Sequence, residues 1–240
     1  MPVVKWEKDG QVAVVTMING QNRHNKVFIE EMHTTLDEIL ADKAVKAVVL
    51  TSNDEKNFSQ GIDVEWLWER MGAQDVETVK AFMRAMGELF KKLLLYPMPV
   101  IAAINGHAFG NGAIISCACD FRFMRADRGY FCFPEVDVGI PFLPGMIAFA
   151  GKAIPHYQLQ EMQLTGKRYT APELEQHHVI VKSCASQEEL MKESLAFART
   201  FQKKRGIFGE MKKRLYQGIV EVIDTADGPY IDKLFLMVSD

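Results

Sequence analysis

Runs of apolar residues divide the first part of the chain into alternating strands and helices. Val12–Ile18 is a β-branched run that predicts a strand, paired with Val3–Glu7 across the turn KDGQ. Apolar residues at helical spacing predict amphipathic helices over Lys26–Leu40 and Val76–Leu95, and the segment YPMP ends the second one. Further strands are predicted at Ala44–Ser52, Val100–Ile104, Phe121–Met124 and Tyr130–Phe133, with a short buried helix at Gly112–Cys119.

The pattern changes in the second part of the chain. Beyond Gly145 it is mostly helical, and the clearest helices are predicted at Gln187–Gln202 and Phe208–Val222. Strands that alternate with helices and are followed by a helical tail predict an α/β protein. We expect residues 1–185 to form the α/β core and residues 186–240 a C-terminal helical region that is not an independent domain.

Composition excludes several classes of protein. The 240 residues are 48% hydrophobic and 25% charged, which is typical of a globular chain. A net charge of −3 provides no basic surface for nucleic acid. No apolar run is long enough for a membrane span, and the N-terminus lacks the pattern of a secretory signal. The four cysteines show no metal-ligand spacing and are expected to be reduced core residues, so we predict a cytoplasmic protein without a metal site.

Two glycine-containing turns each follow a predicted core strand: NFSQGIDVEW at 57–66 and NGHAFGNGAIIS at 105–116. Neither has the lysine of a P-loop or the three glycines of a dinucleotide turn, which disfavours nucleotide phosphate binding. Each turn alone is equally consistent with a tight strand-to-helix connection. Together they could aim two backbone N–H groups at one point, as in an oxyanion hole. Neither contains a nucleophile elbow, which favours enolate formation over acyl-enzyme hydrolysis.

Three segments in this order, FSQGIDVEW, PVIAAINGHAFGNGAIISCACDFRF and FPEVDVGI, resemble the enoyl-CoA hydratase/isomerase, or crotonase, family. The resemblance runs from about Val12 to Ser183, and LTGKRYTAPE fits its later part. It implies the ClpP/crotonase-like fold of repeated ββα units with a C-terminal helical trimerisation region. It also implies an acyl-CoA substrate, a homotrimer or hexamer, and no bound cofactor apart from the coenzyme A of the substrate. The oxyanion hole would be formed by the amides of Ile62 and Asn111.

The number of carboxylates favours one reaction within this family. Members that hydrate a double bond typically use two glutamates, at positions matching Ile114 and Glu135. Only Glu135 is present here, and one base is enough to carry a proton from C2 to C4 when a double bond moves from C3–C4 to C2–C3. Dienoyl-CoA isomerases carry acids at positions matching Ile114 and Leu143, which are apolar in this chain. The chain therefore looks most like a Δ3,Δ2-enoyl-CoA isomerase.

Other readings stay open at this point. The chain could be a hydratase, a decarboxylase, or a thioester or ring-acyl-CoA hydrolase, and a non-catalytic CoA- or RNA-binding scaffold would share the fold. Asp137 would share the face of Glu135 if this segment were an extended strand. Arg23 or Lys26 could contact a CoA phosphate. The residues expected to bind substrate are Arg23, Gln60, Gly61, Asp63, Trp66, Phe109, Gly110, Gly112, Ile114, Phe142 and Leu143.

Two departures from the family pattern affect backbone geometry. Asn111 replaces the usual middle glycine of the second turn, and asparagine tolerates unusual φ and ψ values. His177 and His178 replace a glycine-leucine pair at a helix end, where glycine would supply a left-handed cap. We therefore expect an altered turn at this second site.

Overall fold

The computed structural model describes residues 2–238. Its main sheet has six strands in the order β1-β2-β4-β7-β9-β11, and only the β1–β2 pair is antiparallel. Strands covered on both faces read as continuous apolar runs, which is why the inner strands could be predicted from the sequence. The strands are β1 Val4–Asp9, β2 Val12–Met17, β3 Arg23–His24, β4 Ala47–Ser52, β5 Asn57–Ser59, β6 Gly61–Ile62, β7 Val100–Ile104, β8 His107–Phe109, β9 Phe121–Arg125, β10 Phe131–Cys132 and β11 Lys182–Cys184.

The helices agree with the pattern in the first part of the chain and differ near the end. The predicted helix Phe208–Val222 is wrong as a single element, because two helices meet at Tyr216, whose φ of −109° and ψ of 14° interrupt the helical geometry. The helices are α1 Lys26–Ala41, α2 Val64–Gly72, α3 Val76–Leu94, α4 Asn111–Ala118, α5 Glu135–Val138, α6 Pro144–Ala153, α7 His156–Thr165, α8 Ala171–Gln176, α9 Gln187–Arg199, α10 Arg205–Leu215, α11 Gln217–Ala226 and α12 Gly228–Asp232.

Short strands next to the main sheet position the glycine turns. β5 and β8 follow the sheet strands β4 and β7, and they pair in a small sheet of order β10-β8-β5. β3 pairs with β6 in a two-stranded sheet. Each unit therefore consists of a strand of the main sheet, one or two short strands, and a helix. In this way β4 leads to α2, β7 leads to α4, and β9 leads to α5. This repeat brings the beginnings of three helices to one side of the molecule.

The two faces of the main sheet are covered by different helices. The larger core cluster contains side chains of α1, α3, α4 and α6, and the smaller one is formed where α9 packs on β4, β7 and β9. The C-terminal helix α11 returns to pack against α6. All four cysteines are buried free thiols. No helix between residues 2 and 238 is both long and apolar enough to cross a membrane.

The turn after α8 keeps its left-handed residue even though no glycine is present. His177 closes the helix with φ −93°, and His178 takes φ 56° with its side chain exposed. Val179 N–H then donates to Leu174 O at 2.9 Å, so the helix end is hydrogen-bonded in the ordinary way. The turn geometry is therefore not altered as we expected; a histidine simply occupies the position that favours glycine.

We predict that His178→Gly stabilises the protein by about 0.5–1 kcal/mol. The left-handed conformation costs an L-residue about 1–2 kcal/mol, and glycine removes this cost but loses more conformational entropy on folding, which offsets part of the gain. Urea unfolding of both proteins measures the difference. The control is Gln176→Gly in the last turn of α8, which should destabilise by about 1 kcal/mol because its backbone is right-handed. A loss of stability in His178→Gly would contradict the expectation.

Candidate active site

An apolar cavity of about 210 Å³ lies between α2, α3, the α5–α6 connection and the C-terminal end of the chain. Phe142 and Leu143 line it, as the sequence predicted, together with apolar residues of α2 and α3. Among the lining residues between positions 2 and 238, only Asn111 and Glu135 carry polar side chains, and of these only Glu135 can ionise. The cavity therefore offers a dry environment with a single acid–base group.

Glu135 begins the single helical turn α5, which ends at Gly139 with a left-handed φ of 67°. Its Oε2 atom is shielded from solvent and has no hydrogen-bond partner among residues 2–238. Burial raises the pKa of this carboxyl from 4.5 to about 8, because the charged form loses its hydration and the backbone N–H of Glu135 offsets this only in part. Such a group is a stronger proton acceptor than an exposed glutamate and ionises close to neutral pH.

The carboxyl group of Glu135 reaches the beginning of α4. A Cβ added at Gly110 would lie 2.7 Å from Glu135 Oε1, so only glycine leaves room for this contact. Gly110 takes φ 52°, and Asn111 follows it as the first residue of the helix. The positive φ is thus at Gly110, and the conformational tolerance of asparagine is not needed at Asn111. Its side chain donates instead to Sδ of Met86 in the core.

The backbone N–H of Asn111 has no acceptor among the described residues. This follows from its position, because the first N–H groups of a helix have no carbonyl one turn earlier. Gly61 packs directly against it: a Cβ there would lie 3.0 Å from Asn111 N and 2.8 Å from Phe109 O. The two glycine turns are therefore in backbone contact, with Ile62 and Asn111 both lining the cavity.

The N–H of Ile62 can be placed by the strand pairing. Asp63 N–H donates to His24 O on β3 at 2.9 Å. Successive N–H groups of a strand point in opposite directions, so Ile62 N–H is directed away from β3. Two residues from different turns, Ile62 and Asn111, thus place their N–H groups beside the cavity that Glu135 also lines. Such an arrangement suits a reaction in which negative charge develops on a carbonyl oxygen.

A buried network below the first turn was not foreseen from the sequence. Ser59 Oγ donates to Asn22 O at 2.7 Å, accepts from Gly61 N–H at 3.1 Å, and lies 3.0 Å from His24 Nε2. Because the only hydroxyl proton of Ser59 goes to Asn22 O, the hydrogen-bond network assigns the ring proton of His24 to Nε2. Burial lowers the pKa of His24 to about 3, so the ring is neutral and helps to hold the turn.

Nine of the eleven predicted substrate residues do not line the cavity, and the side chains of three of these nine pack elsewhere. Trp66 packs on Phe82 with ring centroids 4.9 Å apart, because on α2 it lies about 200° from Trp68, which does face the cavity. Phe109 is directed away, between His107 and Arg168. Ile114 is wholly buried in the core of the protein.

The remaining predicted residues are close to the site but are occupied with backbone or ionic contacts. Asp63 caps α2 by accepting from Trp66 N–H, and Gln60 donates to Asn57. Gly112 is pressed against β5, since a Cβ there would lie 2.2 Å from Ser59 O. Arg23 forms an ion pair of 3.1 Å with Glu65.

Asp137 does not share the face of Glu135. The segment is helical rather than extended, so the two side chains diverge, and the carboxylate of Asp137 lies against Gly166. His107 accepts from Tyr130 N–H through Nδ1 and does not line the cavity. No group of three His, Cys, Asp or Glu side chains in residues 2–238 could hold a metal ion.

The sequence missed one wall of the cavity altogether. Leu234, Leu236 and Met237 line it from the C-terminal end of the chain. This segment has neither helical periodicity nor a recognisable motif, so only the continuous apolar run LFLMV could have indicated it.

Comparisons with known proteins show what this chain is similar to. A family model described as enoyl-CoA hydratase/isomerase matches residues 7–224. Enoyl-CoA delta isomerase 3 of Arabidopsis thaliana is 26% identical over 227 residues, covering 91% of this chain and 94% of that protein. The mitochondrial enoyl-CoA hydratase of Pongo abelii is 30% identical over 210 residues, covering 86% and 68%. A solved enoyl-CoA hydratase/isomerase family protein from Pseudomonas syringae superposes with a TM-score of 0.87 at 22% identity, covering 96% and 97%.

We predict that Gly61→Ala destabilises the protein more than Gly20→Ala. Both glycines have positive φ, but an added Cβ meets backbone atoms at Gly61 and nothing within 4 Å at Gly20. Gly20→Ala should therefore cost only the left-handed strain, about 1–2 kcal/mol, and Gly61→Ala a further 1–3 kcal/mol, roughly, from overpacking. Chemical denaturation measures both. Equal losses would mean that the two turns are not in tight contact.

We also predict that Glu135→Gln changes how stability depends on pH. The native pKa of Glu135 lies above its ordinary value, so the folded state binds the proton more tightly and stability is lost as pH rises from 4.5 to about 8. The variant lacks this loss. Its free energy of unfolding relative to wild type should increase across this window, by at most about 1.4 kcal/mol per pH unit.

Urea unfolding at several pH values provides the measurement. Asp137→Asn, which changes an exposed carboxylate two residues along the chain, is the matched control and should follow wild type. A difference between Glu135→Gln and wild type that stays constant across the window would show that the carboxyl ionises at its ordinary pH.

Proposed function

The chain belongs to the enoyl-CoA hydratase/isomerase family and has the crotonase fold, and on that basis we propose that it is a Δ3,Δ2-enoyl-CoA isomerase. It would convert a 3-enoyl-CoA thioester to the 2-enoyl isomer. The observation that supports this reaction most strongly is the single ionisable group of the cavity, Glu135, whose buried carboxyl lies against the beginning of α4. No bound cofactor takes part, and coenzyme A is part of the substrate.

In the first step the ionised carboxylate of Glu135 removes a proton from C2. The electron pair of that C–H bond moves into the conjugated system, and negative charge collects on the thioester oxygen. The N–H groups of Ile62 and Asn111 would donate to this oxygen, and donors of this kind each contribute about 2.7–4 kcal/mol to acyl-transfer transition states. The product of the step is a dienolate, and Glu135 holds the proton.

In the second step the same carboxyl returns the proton to C4. The C2–C3 double bond forms as the negative charge leaves the oxygen, and Glu135 is again ionised. The proton must not exchange with water between the steps, which suits an apolar cavity. The pKa of about 8 also suits a group that must accept and release a proton with similar ease.

The relatives leave isomerase and hydratase as the two candidates. Proteins named enoyl-CoA delta isomerase and enoyl-CoA hydratase match at comparable identity. The carboxylate count supports the isomerase, because Ile114 stands where hydratases of this family carry their second glutamate and is buried among apolar side chains. A hydratase would need another group to activate water.

A homotrimer, or a hexamer made from trimers, is part of the proposal. Large apolar side chains near the site remain exposed on the single chain, including Val136 and Val138 of α5 and Leu164 of α7, with 50%, 54% and 67% exposure. Contact with neighbouring subunits would cover them. The proposed location is cytoplasmic, and Arg23 at the edge of the site is the proposed contact for a CoA phosphate.

We predict that Glu135→Gln lowers kcat/KM for 3-enoyl-CoA by about 10²–10⁴-fold, because the amide cannot accept the proton. Asp137→Asn, the matched control, should keep activity within a few-fold, since Asp137 is directed toward Gly166. Absorbance of the conjugated thioester measures the rate. For wild type, kcat/KM should rise with pH and level off above about pH 8, as the base ionises.

The same assay separates the two candidate reactions. With 3-enoyl-CoA an isomerase produces absorbance, whereas with 2-enoyl-CoA a hydratase removes it. Retention of most isomerisation in Glu135→Gln would contradict the proposed base. Loss of absorbance from 2-enoyl-CoA at a rate above that of isomerisation would favour the hydratase instead.

A further inference from the structure

We propose that the C-terminal tail, residues 233–238, sets the maximum length of the acyl chain that the site accepts. The inference rests on the proposed acyl-CoA substrate and goes beyond it, because it names residues that select among acyl groups. The tail follows α12 and crosses the open side of the cavity, where Leu234, Leu236 and Met237 complete the wall opposite α2 and α3.

The tail is anchored at both ends. Before it, the buried carboxylate of Asp227 accepts from Gly145 N–H at 2.7 Å at the beginning of α6, and Asp232 pairs with Arg84 on α3. At its far end, Val238 N–H donates to Gly139 O at 2.8 Å, directly after the helical turn that carries Glu135. These contacts hold the tail against the same elements that enclose the cavity.

The backbone of the tail directs specific side chains inward. Leu234 has a φ of 51°, in the left-handed region that favours glycine, yet it is a leucine and lines the cavity. This conformation costs an L-residue about 1–2 kcal/mol. In the segment that follows, Leu236 and Met237 line the cavity, while Phe235 stacks on Tyr230 outside it. Position 234 therefore carries an apolar side chain even though its backbone conformation favours glycine.

The volume behind the tail limits the chain length. The tail residues line an apolar cavity of about 210 Å³, so an acyl chain has a finite space in which to extend. A chain longer than this space would have to displace the tail and break the Val238–Gly139 hydrogen bond.

The test uses binding of saturated acyl-CoA esters, from butanoyl to tetradecanoyl, measured by calorimetry. These esters cannot isomerise, so binding is measured apart from catalysis. Wild-type affinity should rise with chain length to an optimum within this series and then fall. In the double variant Leu236→Ala, Met237→Ala, we expect the optimum to move to longer chains by roughly two to four carbons. The affinity ratio of decanoyl-CoA to hexanoyl-CoA should rise about tenfold or more.

Two further variants keep the result interpretable. Phe235→Ala alters the same tail on its outer side and should keep the wild-type optimum. Leu236→Phe adds volume inside and should move the optimum to shorter chains, a change in the opposite direction that loss of structure would not produce. If the optimum is unchanged in both the double variant and Leu236→Phe while the esters still bind, the role of the tail is overturned but the proposed function is not. If wild type bound none of the esters, the proposed function would fail, and the inference with it.

Discussion

The site depends on how closely two turns of backbone can approach each other. Gly61 and Gly112 press the end of β5 and all of β6 against the beginning of α4, at distances that leave no room for any Cβ atom. The N–H of Asn111, which has no acceptor in the described part of the chain, and the N–H of Ile62, which is directed away from β3, are brought together only because Gly61 and Gly112 have no side chains. The buried Ser59–His24 pair supports the first turn from below. The proposed oxyanion site is therefore a product of backbone packing rather than of side-chain chemistry.

At Glu135, in contrast, the side chain itself matters, and its apolar surroundings disfavour the charged form of the carboxyl. Most buried carboxylates are hydrogen-bonded or ion-paired, because burial of an uncompensated charge is costly. Oε2 of Glu135 has neither kind of partner in the described part of the chain, and the cavity beside it is almost entirely apolar. The same environment that raises the pKa of this group to about 8 also makes the fold lose stability as pH rises from 4.5 to about 8. Function and stability are in direct competition at this residue.

Sequence patterns predicted the parts of this structure that depend on periodicity and on glycine motifs. The buried strands, the long helices, the two turns and the family are all confirmed. Errors arose where a short segment had two possible conformations. EVDV alternates like a strand but forms one helical turn ended by Gly139, and this moved Asp137 off the face of Glu135. The tail could not be predicted because a left-handed leucine and an aperiodic chain leave no pattern to detect.

The apolar wall has two consequences that cannot be separated. A proton held by Glu135 between two carbon atoms is lost if water reaches it, so the reaction needs a closed cavity. In this chain the closing side is formed by Leu236 and its neighbours, which also determine the depth available to the acyl group. A tail that admitted longer chains by standing open would admit water to the unpartnered carboxylate as well. Selection of chain length and retention of the proton therefore depend on the same few apolar contacts. A substitution that admits longer acyl chains must also fill the space that it opens if water is to stay out of the cavity.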